Sequence, residues 1–452
     1  MPEHIHFISI GGSIMHQLAI ALSQKGNTIT GSDDEIFEPA LSNLSANGLR
    51  PAKFGWFPEN VTDSIGSVIL GMHARADNPE LIRAKELGLQ IYSFPEYIYK
   101  ASMDKLRVAI GGSHGKTSTT AMVMHILKGS GLKFDYLVGA KLPGFDHSVQ
   151  ITDAPVIVCE ADEYPASAIE RKPKFHFLFP NIAVITGIAW DHINVFPTFE
   201  FYLLQFKIFL EKIVSGGVLI YNESDPVLKQ LVEDNLRKDL TYHPYHLPTF
   251  FIEDGKTEVV IEGFKTQLQV FGNHNLLNLQ AAWLVCRELK INAEDFIKNI
   301  ASFQGASRRL ELLFSNESCS VFRDFAHAPS KVKASIQAAS LQFPNRKLIA
   351  LLELHTYSSL SESFLEEYKG VMNIADVQIV FYSAHALEIK RLPALSEAKV
   401  KAGFGSEELK VYTDTEALKH FLEKQDYQNT NLLIMTSGNF DGLDFTTFTP
   451  WN

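Results

Sequence analysis

The feature that most constrains the fold of this chain is a glycine-rich turn near residue 112. The run LRVAI from Leu106 is predicted to be a buried strand, GGSHGKT follows it, and Ser118–Lys128 has the spacing of a helix. Glycines let backbone N–H groups turn inward around phosphate oxygens, and the N-terminus of the next helix adds a positive dipole end. The segment therefore predicts a nucleotide-binding domain built on a parallel sheet.

The residues of this turn have separate predicted roles. Lys116 is placed to reach the β and γ phosphates of a nucleotide, and the hydroxyl of Thr117 to bind Mg²⁺. The strict pattern has a glycine where Ile110 stands, so the match is to a shorter variant. A tight turn with an incidental lysine is the weaker interpretation, because a strand precedes the turn and a helix follows it. We expect Lys116 to face solvent without a ligand. The predicted nucleotide-binding residues are Gly112, Ser113, His114, Gly115, Lys116, Thr117 and Ser118.

The chain of 452 residues is too long for one hydrophobic core and suits about three domains. Short apolar runs alternate with helical patterns, which predicts an α/β fold with mostly parallel sheets. Residues 249–271 differ, because Asp254-Gly255 and Gly263 split them into three extended pieces typical of an antiparallel meander. We predict a Rossmann-like domain over 1–105, a P-loop ATPase-like domain with this meander over 106–304, and a Rossmann-like domain over 305–452.

Charge and composition exclude several classes of function. The formal net charge is -11, and there is no long run of Lys or Arg, so nucleic acid and anionic membrane are poor partners. Cys159, Cys286 and Cys319 are far apart and indicate thiols in a reducing compartment. No apolar run reaches the roughly 18 residues of a membrane helix, and the N-terminus lacks a signal-peptide pattern. These features predict a cytoplasmic protein, which we expect to be a monomer or weak dimer.

A second glycine turn follows the first predicted strand. Gly11, Gly12 and Ser13 lie in this turn, and Asp33 follows the second strand. A glycine turn and then an acid is the Rossmann arrangement for a diphosphate and a ribose. Serines break the usual G-x-G-x-x-G pattern, so a nucleotide site and a plain turn both remain open.

Two groups that could bind metal lie near predicted strand ends. Glu160 ends the strand PVIVCE, and His192 lies beyond the strand NIAVIT. Ligands gather outside the carboxyl ends of parallel strands, where the phosphate loop also lies. A helix cap and a structural histidine are the alternatives, but the nearby loop favours a site for hard cations.

Six motifs in a fixed order resemble the Mur ligases, the peptide-forming enzymes of peptidoglycan precursor synthesis. They are GGSHGKTSTT, EADEY, DH, GNHNLLN, Arg308-Arg309-Leu310-Glu311 and Asp324-Phe325-Ala326-His327, and the resemblance extends over nearly the whole chain. The resemblance implies an ATP-dependent ligase that forms an acyl-phosphate, with Lys116, Arg309 and His192 as catalytic residues. It implies Mg²⁺ bound by Thr117, Glu160 and His192, an adenine site at His274, Asn275 and Asn278, and nucleotide contacts from Arg309 and Asp324.

Within the family the chain most resembles members that act on UDP-N-acetylmuramate, which the N-terminal turn would hold. These add either L-alanine or the tripeptide L-alanyl-γ-D-glutamyl-meso-diaminopimelate. EADEY and DHINVF favour the tripeptide, and L-alanine is the alternative. A tripeptide carries further carboxylates, for which we predict His355 together with basic residues of the third domain. The candidates are Lys331, Lys333, Arg346, Lys347, Lys390 and Arg391.

Two other functions stay open. A kinase or motor ATPase would share the phosphate loop but would need no UDP-sugar. A non-catalytic nucleotide-binding relative is suggested by Gly187, Ala189 and Ala328, which stand where relatives usually have polar residues. The intact loop argues against this last interpretation.

Overall fold

The computed structural model describes residues 2–72, 74–167, 169–190, 195–306 and 309–445. Their contacts divide into two compact units. The first unit holds residues up to His246 together with Leu277–Asn299, and the second holds Leu247–Leu276 and the residues from Ile300 onward.

The first unit contains two sheets with helices between their strands. Its strands are β1 (His4–Ile8), β2 (Thr28–Ser32), β3 (Ser67–Leu70), β4 (Gln90–Ser93), β5 (Leu106–Gly111), β6 (Asp135–Leu137), β7 (Val149–Gln150), β8 (Val156–Glu160), β9 (Ile182–Ile185), β10 (Val218–Asn222) and β11 (Thr241–Tyr245). Its helices are α1 (Met15–Gln24), α2 (Ala40–Ala46), α3 (Pro79–Glu86), α4 (Phe94–Lys100), α5 (Lys116–Gly129), α6 (Phe199–Glu211) and α7 (Pro226–Asp234).

The order of the strands places the phosphate loop at the middle of the larger sheet. The first sheet is parallel, with the order β2-β1-β3-β4, and the second has the order β11-β10-β9-β5-β8-β6-β7. Strand β5 pairs in parallel with β8 on one side and β9 on the other. The segments that follow these three strands therefore meet at one edge of the sheet, as predicted.

The second unit contains a meander and a six-stranded sheet. Its strands are β12 (Thr249–Glu253), β13 (Lys256–Ile261), β14 (Phe264–Leu268), β15 (Glu311–Ser315), β16 (Ser320–Asp324), β17 (Lys347–Glu353), β18 (Val377–Phe381), β19 (Lys410–Tyr412) and β20 (Thr430–Met435). Helix α8 (Asn273–Glu288) begins in this unit and continues into the first, where α9 (Ala293–Ile300) follows. The remaining helices are α10 (Pro329–Gln342), α11 (Ala384–Ile389), α12 (Glu397–Phe404) and α13 (Thr415–Glu423). Short 3-10 helices cover Pro58–Asn60, Lys174–Phe177, Glu362–Tyr368 and Phe440–Gly442.

The topology confirms the predicted α/β class. Strands β12 to β14 form the antiparallel meander. The six-stranded sheet has the order β15-β16-β20-β17-β18-β19 and is parallel apart from β15. The meander belongs to the second unit, where the Thr257 hydroxyl donates to Gln342 Oε1 of α10 at 2.8 Å. Among the described residues, no helix is both long enough and apolar enough to cross a membrane.

Candidate active site

The phosphate loop takes a backbone path that glycine alone accommodates at two positions. Gly112 has a φ of +127° and Gly115 a φ of +82°. Side chains disfavour this left-handed region. A Cβ at Gly112 would lie 2.2 Å from the Thr186 hydroxyl oxygen, and one at Gly115 would lie 2.3 Å from Asn278 Oδ1. Both positions therefore need glycine for space as well as for conformation.

Lys116 does not face solvent, and that prediction is wrong. Its Nζ donates to the Gly112 carbonyl at 2.6 Å and to Glu163 Oε2 at 2.7 Å. The Lys116 side chain is 14% exposed, and that of Glu163 is fully buried. A buried carboxylate requires a cation, so Glu163 draws the ammonium down onto the loop.

Neighbouring carboxylates keep Lys116 charged. Burial alone lowers the pKa of Lys116, but Glu163 and Asp162 outweigh burial and hold the pKa above its ordinary value. For the Asp162 carboxyl, burial acts in the opposite direction and raises the pKa. Lys174, whose Nζ lies 2.7 Å from Asp162 Oδ2, outweighs burial and holds that pKa below its usual range. The loop therefore carries a fixed positive charge near neutral pH.

Thr117 and Glu160 come together as the predicted cation site requires. The Thr117 hydroxyl donates to Glu160 Oε1 at 2.8 Å, and Glu160 Oε2 accepts the Gly139 N–H at 3.0 Å. A hydroxyl and a carboxylate are ligands that suit Mg²⁺. His192 lies outside the described residues. Within the described ranges no three His, Cys, Asp or Glu side chains converge as a metal site.

The other predicted loop residues contact the neighbouring strand ends and α8. Ser113 N–H donates to the Gly187 carbonyl at 3.0 Å, and the Thr186 hydroxyl donates to the His114 carbonyl. Ser118 lies buried in the first turn of α5. Asn278 accepts a hydrogen bond from the Thr119 hydroxyl at 3.3 Å, so it lies beside the loop.

The N-terminal turn resembles a dinucleotide turn despite its missing glycine. Ser9 has a φ of +68°, the conformation in which the pattern prefers glycine. Gly11 N–H donates to Asp33 Oδ2 at 2.7 Å, and a Cβ on Gly11 would lie 2.9 Å from that oxygen. Gly12 accepts a 2.9 Å bond from the His16 imidazole, whereas Ser13 is exposed. Gly11 and Asp33 are therefore brought together, as predicted for a diphosphate and ribose site.

Asp33 gives this turn a pH dependence. Burial raises the pKa of Asp33 to about 6, although the Gly11 N–H opposes that shift. A raised carboxyl pKa stabilises the folded chain at low pH, and the stabilisation is lost as pH rises through about 6. We expect Asp33→Asn to remove this contribution, so that the melting temperature falls less between pH 4 and pH 6.5. Exposed Asp63→Asn is the control, and parallel curves for wild type and Asp33→Asn would contradict the assignment.

The second unit brings together three predicted nucleotide contacts. The guanidinium carbon of Arg309 lies 5.0 Å from the centre of the Phe325 ring. Phe325 directly follows Asp324, the last residue of β16. Burial lowers the pKa of His274; nearby Asp324 opposes this shift, and Arg309 adds to it. His274 is therefore mainly neutral at pH 7 and can donate or accept a hydrogen bond. The Asn275 side-chain amide donates to the Phe271 carbonyl at 2.9 Å.

His355 lies at the carboxyl edge of the six-stranded sheet. It is 38% exposed, and its Nδ1 lies 3.6 Å from Oε1 of Glu353. Glu353 is buried and accepts hydrogen bonds from the Thr436 hydroxyl and, at 3.1 Å, from the Phe440 N–H. His355 therefore already has a carboxylate neighbour at this edge.

Two of the predicted basic partners of His355 lie elsewhere. Arg346 donates to Ser320 Oγ at 3.2 Å and to Asn431 Oδ1 at 3.1 Å, at the amino ends of their strands. Lys347 begins β17, whereas His355 follows its end at Glu353, and these two ends of the strand are about 20 Å apart. Helix α10 carries the chain back to the amino ends of the strands before β17 starts. A count of basic residues in the sequence cannot reveal this.

Four residues of the site were missed by the sequence prediction. Glu163 was visible in EADEY among the carboxylates that could hold a cation, but its pairing with Lys116 was not predicted. Tyr202 and Ser335 carried no local signal; the hydroxyl of Ser335 donates to Asp324 Oδ2. Glu353 precedes His355 by two residues at a strand end, which could have identified it.

Comparison with family models gives two matches. A model described as the Mur ligase family catalytic domain matches residues 4–104, and the Mur ligase middle domain matches residues 110–286.

Named relatives extend the similarity over the full chain. A UDP-N-acetylmuramate–L-alanine ligase from Sulfurihydrogenibium sp. (strain YO3AOP1) is 31% identical over 98% of this chain and 96% of its own length. A protein of the same name from Carboxydothermus hydrogenoformans is 26% identical over 98% and 95% of the two chains.

Solved structures share the fold. The UDP-N-acetylmuramate–alanine ligase of Thermotoga maritima has a TM-score of 0.67 at 22% identity, covering 97% of this chain and 96% of that one. A murein peptide ligase from Psychrobacter arcticus has a TM-score of 0.63 at 20% identity, covering 97% of each chain.

Proposed function

Because the chain belongs to the Mur ligase family, whose members are ATP-dependent amide-bond ligases, we propose that it joins L-alanine to the lactyl carboxylate of UDP-N-acetylmuramate. The observation that carries the proposal is the fixed Lys116 ammonium beside the Thr117–Glu160 pair, in a chain aligned end to end with relatives named for that reaction. This acceptor replaces the tripeptide, which EADEY and DHINVF favoured.

The reaction needs an activated carboxylate, because hydroxide is a poor leaving group. An oxygen of the lactyl carboxylate attacks the γ-phosphorus of ATP, ADP leaves, and an acyl-phosphate forms. The amine nitrogen of alanine then attacks the carbonyl carbon, inorganic phosphate leaves, and the amine loses a proton to a base or to water. Both steps bring anions together, so positioned positive charge is the main requirement.

The first unit supplies this charge from Lys116 and from its backbone. The Lys116 ammonium would bind the β and γ phosphates, and the N–H groups of the glycine turn would surround their oxygens. Mg²⁺, bound through Thr117 and Glu160, would neutralise charge on the transferring phosphate. The side chain of Glu163 keeps Lys116 oriented at 2.7 Å.

We propose further roles for both glycine turns and for the second unit. Gly11 and Asp33 would bind the diphosphate and ribose of the UDP-sugar, since the turn already holds them together at 2.7 Å. His274, Arg309 and Asp324 would contact the nucleotide, since the second unit groups them. We place the reaction in the cytoplasm, where the buried free thiols of the three cysteines stay reduced.

Phosphate release tests the acceptor. With ATP and UDP-N-acetylmuramate, we expect kcat/KM for L-alanine to exceed that for the tripeptide by about 100-fold. The imidazole of His355, which was predicted to bind the extra carboxylates of a tripeptide, already lies 3.6 Å from the Glu353 carboxylate of the same chain.

Three outcomes would change the proposal. Better use of the tripeptide would make this a peptide-adding member of the family. Phosphate release that is unchanged with UDP-N-acetylglucosamine, which lacks the lactyl carboxylate, would indicate a plain ATPase. Binding of ATP without turnover on either acceptor would indicate a non-catalytic relative.

A further inference from the structure

A buried row of hydroxyl groups lies directly beneath the phosphate loop and has no part in the mechanism above. The Ser113 hydroxyl lies 2.8 Å from the Tyr202 phenol oxygen, which in turn lies 3.5 Å from Glu163 Oε1. Ser113 Oγ also accepts the Ala189 N–H at 2.8 Å. Tyr202 and Glu163 are fully buried, and Ser113 is 5% exposed.

Chemistry fixes the direction of these hydrogen bonds. An ionised carboxylate can only accept, so the Tyr202 hydroxyl donates towards Glu163. The Tyr202 oxygen then accepts the Ser113 proton, while Ser113 accepts the amide of Ala189. The two hydroxyls therefore donate in the same direction, and the row ends on the carboxylate that holds Lys116. Hydrogen bonds that point in the same direction polarise one another. This strengthens the two short bonds of Ser113 and favours the longer contact between the Tyr202 hydroxyl and Glu163.

The ammonium of Lys116 shows what this row controls. It has three N–H groups, and two are used by the Gly112 carbonyl at 2.6 Å and Glu163 at 2.7 Å. The third is left for a phosphate oxygen. Its direction depends on where Glu163 stands, and Glu163 cannot follow Lys116 outward because its carboxylate is fully buried.

We propose that Tyr202 is a positioning residue for phosphoryl transfer, an inference that rests on the proposed function. Its phenol, on helix α6, links the loop residue Ser113 to Glu163 and so fixes the third N–H of Lys116 towards the nucleotide. It also connects the loop to the backbone of Ala189 in the segment that follows β9. The row of hydrogen bonds therefore fixes the position of the phosphate loop relative to the segment that follows β9.

Removing one oxygen atom tests this without disturbing the packing. The Tyr202 ring packs on Phe196 and Phe206, with centroid distances of 5.0 and 5.2 Å, and phenylalanine keeps both contacts. Tyr427→Phe is the matched control, because its buried phenol donates to the Leu422 carbonyl at 3.0 Å in the second unit. Both variants remove a buried, hydrogen-bonded phenol hydroxyl, so a merely structural role predicts a loss of stability without a change in kcat for both.

We expect Tyr202→Phe to lower kcat about 30-fold, since small misplacement of a charged group costs one to two orders of magnitude in rate. The KM for L-alanine should stay within about twofold, because the phenol acts through the phosphate loop. The affinity of Tyr202→Phe for a non-hydrolysable ATP analogue with Mg²⁺ should fall about tenfold. Tyr427→Phe should change neither kcat nor the affinity for the analogue.

A double-variant cycle separates the row from a single contact. Ser113→Ala and Tyr202→Phe interrupt the same row, so the double variant should lose little more than Tyr202→Phe alone. Additive losses would overturn the inference, as would a kcat and an analogue affinity equal to those of the Tyr427→Phe control. Analogue affinity does not depend on the acceptor. Wild type that binds the analogue but does not ligate would therefore overturn the proposed function, and the affinity of Tyr202→Phe would still decide the role of Tyr202.

Discussion

Lys116→Met is expected to lower ligation by at least about three orders of magnitude and also to destabilise the protein. Lys116 supplies positive charge on the loop, and charge stabilisation of this kind dominates phosphoryl transfer. The loss of stability arises because the fully buried Glu163 carboxylate would lose the ammonium that neutralises it, and removing one partner of a buried ion pair typically costs about 3–5 kcal/mol. Coupled phosphate release measures the first effect and thermal melting the second.

The double variant Lys116→Met/Glu163→Gln distinguishes the two effects. Neutralising Glu163 removes the buried negative charge that Lys116 balanced, so we expect the melting temperature to recover most of its loss while ligation stays low. Lys172→Met is the control, because its ion pair with Glu170 is exposed and such pairs contribute at most about 1 kcal/mol. A Lys116→Met protein as stable as the control would show that Glu163 is not held by this lysine.

Gly112→Ala is expected to abolish ATP binding. A Cβ there would lie 2.2 Å from the Thr186 hydroxyl oxygen and 2.9 Å from the Thr186 backbone nitrogen, on a backbone with a φ of +127°. The hydroxyl can turn away, but the backbone nitrogen belongs to the segment after β9 and cannot. The loop must therefore move, and misplaced N–H groups no longer surround the phosphates. Calorimetric titration with an ATP analogue measures the loss.

Gly131→Ala separates crowding from backbone strain. Gly131 also has a positive φ, of +71°, but nothing lies within 4 Å of its added Cβ. We expect this control to lose about 1 kcal/mol of stability and to keep full affinity for the analogue. If Gly112→Ala binds the analogue as well as the control does, the loop geometry described above is not the one that binds nucleotide.

The sequence predicted the secondary structure of the site well because the signals there are local. The apolar run that became β5, the glycine turn and the periodicity of α5 each lie within about a dozen residues. The meander was predicted for the same reason, since Asp254-Gly255 and Gly263 mark its turns. Such signals need no knowledge of how distant segments pair.

The partners of each side chain could not be predicted, because they depend on pairing between distant strands. Lys116 and Glu163 are 47 residues apart and meet only because β5 and β8 are neighbours in the sheet. Tyr202 reaches the loop from a helix 89 residues beyond Ser113. Ser9 adopts a conformation that the pattern reserves for glycine, so the broken motif concealed a turn that still forms.

Transfer of labelled oxygen tests the central claim, which is that this chain activates a carboxylate with ATP before it forms an amide. The substrate is UDP-N-acetylmuramate with ¹⁸O in its lactyl carboxylate, incubated with ATP, Mg²⁺ and L-alanine. An acyl-phosphate intermediate predicts that each inorganic phosphate released carries one ¹⁸O atom, in step with the amide formed. Amide formation with unlabelled phosphate would contradict the acyl-phosphate, and phosphate release without amide would contradict the ligase.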